Sequence, residues 1–148
     1  MPPLSPSHSV EVRYCAIIAA LARPADIRSL PLPALHLVMT LRMCSLIDRA
    51  GRDPLAELAT RLHSVAAAKA AIDVAEAVTR CWPEPYLASR PCALKLTSDE
   101  ATIAAMARTA LAADRGAFTR AVTGFVRADR HERLFALTVE AVALLQAG

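Results

Sequence analysis

Alanine fills 32 of the 148 positions, whereas glycine occurs four times, at Gly51, Gly116, Gly124 and Gly148, always alone. Alanine is the strongest helix former and fits strands poorly, so this usage points to helix and away from sheet. Isolated glycines also exclude the glycine-rich loops that cradle phosphates. The chain is 55% hydrophobic and 21% charged, a balance that disfavours intrinsic disorder.

Apolar periodicity and caps divide the chain. Residues 1–8, with three prolines, read as a flexible lead, and residues 9–148 as a single helical domain. A first helix is predicted over 10–22, with Tyr14, Ile17, Ile18 and Leu21 on one face and Arg23-Pro24 ending it. A second runs over 34–50, apolar except for a narrow sector around Arg42, Ser45 and Arg49, as expected of a central helix. Asp53-Pro54 starts a third. Its pattern predicts one long helix over 54–80, narrowed by the alanines between Ala66 and Ala71. Residues 81–96 carry Pro83, Pro85 and Pro91 and form a linker. Thr97 with Glu100 is a capping box for a helix over 97–113. Asp114 caps a short helix with Phe118, Val122 and Phe125 inward, and Asp129 with Glu132 repeats the capping pattern before a last helix. The expected fold is therefore all-α: a compact bundle of five or six helices with a proline-rich crossover at 81–96.

The formal net charge is +3. The whole excess lies in residues 1–52, with six arginines against three acids, and the remainder balances. A nucleic-acid binder normally shows a denser basic face. The start carries no basic n-region of a secretory signal, and the apolar run 34–47 is interrupted by His36 and Arg42 and is shorter than a membrane span. A cytoplasmic protein is expected, with Cys15, Cys44, Cys81 and Cys92 as reduced thiols. Cys81 and Cys92, flanking the linker, are the redox candidates.

No spacing supports an enzyme signature. His131-Glu132 begins like a zinc-protease helix, but the second histidine should stand where Phe135 does. Cys81 and Cys92 are too far apart for a compact zinc module. No metal or cofactor is expected. Asp73 and Glu76 read as a solvated helix face. Trp82, Pro83, Pro85 and Tyr86 form the one aromatic cluster in a proline-stiffened loop. These aromatics either anchor a partner or fold back between the two helical halves. The helices over 97–113 and 114–126 have the outline of a helix-turn-helix, with Arg115, Arg120 and Arg127 as its cations.

The stretch Arg90-Pro91-Cys92-Ala93-Leu94-Lys95-Leu96-Thr97-Ser98-Asp99-Glu100, followed by alanine-rich helices, resembles a small all-helical alphaproteobacterial family. Its members join an N-terminal helical part to a Pro-Cys segment and a helix started by Thr-x-x-Glu. The resemblance covers about half the chain, and the long helix over 54–80 departs from it. That family carries no assigned activity, so the resemblance implies no catalytic residue.

The expected function is a non-enzymatic module that binds another protein or itself. Its face comprises Leu58, Leu62 and Val65, with Trp82 and Tyr86 at the rim. The alternative is a nucleic-acid-binding regulator using the C-terminal third. A small-molecule pocket between helices is a third possibility.

Overall fold

The structure, a computed structural model, describes residues 25–147. The helix expected over 10–22 and the lead 1–8 lie outside the described residues. Six α-helices follow: α1 Leu32–Arg49, α2 Pro54–Leu62, α3 Val65–Cys81, α4 Ser98–Leu111, α5 Arg115–Val122 and α6 His131–Gln146. Short 3-10 turns at Ile27–Ser29 and Ala128–Arg130 precede α1 and α6. The described chain contains no strand, only one isolated antiparallel bridge between Asp26 and Lys95. The fold is all-α, as the alanine usage requires.

Helix α1 is central and packs against α2, α3, α4 and α6. Leu37, Val38, Leu41 and Ile47 on it are at most 1% exposed. The main core joins Leu37, Val38 and Leu41 to Val74 and Val78 of α3, Ile103 and Met106 of α4, Phe118 of α5 and Leu134 of α6. A smaller cluster, Cys44, Ile47, Leu58 and Ala68, lies between α1, α2 and α3. Ala67, Ala68, Ala70 and Ala71 of α3 are all buried, and their small side chains let α2 and α6 close on either side. Phe118 and Phe135 meet edge to face at 5.1 Å, and the Arg115 guanidinium lies 4.9 Å over Phe135.

The single helix expected over 54–80 is two helices. His63 takes a left-handed conformation, with φ 52°, and caps α2, while the Ser64 hydroxyl accepts from the Ala67 amide to start α3. A serine cap three residues before an amide satisfies a donor that a continuous helix would have used internally. The expected capping at Asp129 and Glu132 is also absent. Arg130 stands at the start of α6 without a side-chain cap. Asp129 instead pairs with Arg127, and Glu132 with Arg115, so nearby cations have taken both carboxylates. The caps at Asp53, Thr97 and Asp114 are made as expected.

Candidate functional site

Arg42 belongs to the polar sector of α1, yet it is 1% exposed. It faces the first turn of α4, where its Nε donates to Glu100 Oε2 at 2.6 Å and its Nη2 to Glu100 Oε1 at 3.1 Å. Neither side chain of this pair has any accessible surface. The remaining guanidinium donors go to the linker: Nη1 to the Ala93 carbonyl at 2.7 Å and Nη2 to the Lys95 carbonyl at 3.2 Å. Glu100 in turn accepts from the amides of Thr97 at 3.0 Å and Ser89 at 3.3 Å. Burial opposes ionisation of Glu100, but the bonds from Arg42, Thr97 and Ser89 outweigh it and hold the carboxyl below its usual range.

Next to this pair, Asp99 accepts from the Trp82 indole at 3.1 Å and the Leu87 amide at 2.8 Å. The Thr97 hydroxyl donates to the Leu87 carbonyl at 2.7 Å. Where the linker leaves, Ile27 donates to the Leu94 carbonyl and Leu96 to the Ala25 carbonyl. One turn of α4 and one arginine of α1 thus hold both limbs of residues 82–97. Every nitrogen of Arg42 and every carboxylate oxygen of Glu100 and Asp99 is engaged, so the arrangement is built to hold a segment still. It offers no free base or nucleophile at its centre.

The aromatics of the linker take the buried of their two expected positions. Trp82 is 9% exposed and packs edge to face on Phe125. Tyr86 is half-buried against the main core, and its buried hydroxyl has no hydrogen-bond partner among the described residues. Burial, then the charges of Glu100 and Asp99, push its pKa up. The apolar side chains that stay exposed here are Leu87, at 62%, and Leu94, at 50%.

The helical face expected around Leu58, Leu62 and Val65 does not act as one surface. Leu58 is 1% exposed and belongs to the smaller core, Leu62 is half-buried against both cores, and Val65 is 65% exposed beyond the break at His63 and Ser64. Cys81 is half-buried at the end of α3 and Cys92 is exposed in the linker, both as free thiols. Among the described residues no three His, Cys, Asp or Glu side chains gather as a metal-ligating group. None of the described helices is long and apolar enough to cross a membrane. His131 is half-buried, its Nε2 2.8 Å from the Val126 carbonyl. Of the cations expected for a helix-turn-helix, Arg115 at the start of α5 is paired with Glu132 and stacked on Phe135, and Arg127, beyond the end of α5, is paired with Asp129. Arg120 is exposed.

The residue that sequence reasoning missed is Arg42, together with the second role of Glu100. The available signal was an arginine in the middle of an otherwise apolar helix. No known protein family, curated protein or solved structure matches the chain.

Proposed function

We propose that this protein is a non-enzymatic helical interaction module whose binding element is the proline-rich segment 82–97, presented to another protein. The observation that carries this reading is the buried Arg42–Glu100 pair, which spends its hydrogen bonds on the backbone of that segment. A buried ion pair is a poor source of stability, since apolar residues of similar size often do as well or better. Its use here is to impose one conformation on a stretch that forms neither helix nor strand. Long irregular connections in compact domains are commonly functional, and rigid scaffolds commonly present binding residues on them. Leu87 and Leu94 are the apolar side chains such a surface would offer, and a pre-ordered segment loses little freedom on binding.

The test is site-specific photo-crosslinking in cells that naturally carry the protein. A photoreactive amino acid is placed at Leu87, at Leu94, or at the exposed Leu111 of α4 as a control. The reading requires a discrete protein adduct from positions 87 or 94 and none from 111. Equal labelling at all three, or none, would refute it.

A further inference from the structure

Beside the clamp, residues 82–87 and the first turn of α4 enclose a groove of about 390 Å³. Its apolar wall is the pair Trp82 and Phe125, with ring centroids 5.0 Å apart and planes at 68°. Pro83 and Pro85 line it and are exposed, and Leu87 stands at its edge. Its charges have one sign: Glu84 and Asp99 line it, and no lysine or arginine does. Glu84 is exposed and makes no ion pair among the described residues. The two hydrogen bonds to Asp99 come from the neutral donors of Trp82 and Leu87.

We infer that this groove receives an extended, cationic segment of a partner protein. In that pose an aliphatic or proline side chain sits on the Trp82–Phe125 wall, and a neighbouring lysine or arginine faces Glu84 and Asp99. Extended, proline-containing segments dock on aromatic-lined grooves because both surfaces are already ordered. Aromatic anchors concentrate binding energy, and the one-signed rim selects the partner by charge complementarity. The inference rests on the reading of 82–97 as a presented element and adds the chemical class of what it meets.

Trp82 is the only tryptophan, so its emission reports occupancy of the groove directly. A displayed library of random 12-residue peptides is panned on the full chain. The selected peptides are then synthesised and titrated against wild type, Glu84→Lys, Leu87→Asp and the control Glu140→Lys, with circular dichroism checking the fold of each variant. The expected sequences place Lys or Arg next to Leu, Ile, Val or Pro, and each shifts Trp82 emission. Glu84→Lys should weaken them by at least about tenfold, through like-charge repulsion, and Glu140→Lys by less than about twofold. Acidic or uncharged selected sequences, or binding that Leu87→Asp abolishes and Glu84→Lys leaves alone, overturn the cationic partner while leaving the presented segment in place. Failure to select any peptide, or binding indifferent to both positions, overturns both. Dimerisation of the wild type that Glu84→Lys abolishes assigns the groove to a second copy, and this too overturns the inference.

Discussion

Replacing Arg42 by methionine keeps much of the side-chain volume and removes the charge and all four of its hydrogen bonds. Glu100 is then a buried carboxylate with only the Thr97 and Ser89 amides, and the carbonyls of Ala93 and Lys95 lose their donor. Removing one partner of a buried pair costs about 3–5 kcal/mol, a large share of the roughly 5–15 kcal/mol that holds a domain together. The two surviving amide bonds to Glu100 favour the lower end of that range, and the orphaned carbonyls push it back up, at about 1–3 kcal/mol for each left unsatisfied. We therefore expect Arg42→Met to lower unfolding free energy by about 4 kcal/mol at pH 7. The double variant Arg42→Met/Glu100→Met should recover at least about 1 kcal/mol relative to the sum of the single changes, because no lone charge remains buried. Urea titrations followed by circular dichroism and by Trp82 fluorescence measure both quantities. The two probes should also separate in Arg42→Met, the fluorescence changing first as the linker loosens. A loss below about 1 kcal/mol, with coincident transitions and additive single changes, would refute the clamp.

Four further outcomes follow from the same structure. Because the folded Glu100 carboxyl sits below its unfolded value, its contribution is complete above the ordinary carboxylate pKa and vanishes as pH falls through the folded one. Stability should drop steeply below about pH 4, and Glu100→Gln should flatten that slope in acid denaturation curves. Leu58→Ala, in the smaller core, should cost about 2–5 kcal/mol, whereas Val65→Ala, on the exposed start of α3, should stay within about 0.5 kcal/mol by urea denaturation. Ala113 holds a left-handed φ of 53° after α4, so Ala113→Gly should raise stability by about 1 kcal/mol, read as a higher melting temperature. In a Cys15→Ser background, maleimide should label exposed Cys92 first, half-buried Cys81 next and Cys44 last. Burial, then Asp48 and Glu76, raise the Cys44 pKa. Peptide mass mapping of a labelling time course gives the order.

Local signals made much of the fold legible. The Asp53-Pro54 start, the Thr97–Glu100 box and the Asp114 cap each satisfy amides within three residues, so their chemistry is written in adjacent positions. The break at His63 was harder to see. It uses neither glycine nor proline, and a serine such as Ser64 also occurs inside helices, bonding back to the preceding turn. Asp129 and Glu132 mark the opposite failure, a good local pattern defeated by the competing cations Arg127 and Arg115. The candidate site was half legible. Glu100 was marked as a cap residue, but its partner Arg42 is 58 positions away and on another helix, where spacing carries no information. Trp82 and Tyr86 were marked by chemistry, and only the packing of Phe125 and the core decided which way they turn.

The wide sequence separation of Arg42 and Glu100 also has a kinetic consequence. Residues 82–97 lie between the two charges along the chain, and the bonds from Arg42 to the Ala93 and Lys95 carbonyls can form only once α1 and the linker have met. Closing so distant a contact is slow compared with forming the helices themselves. Residues 82–97 are then expected to be among the last parts of the molecule to order. If the segment is the binding element proposed above, a nascent or partly melted chain, helical though it is, would have nothing to show a partner. On that proposal, association would double as a check that both halves of the protein have come together.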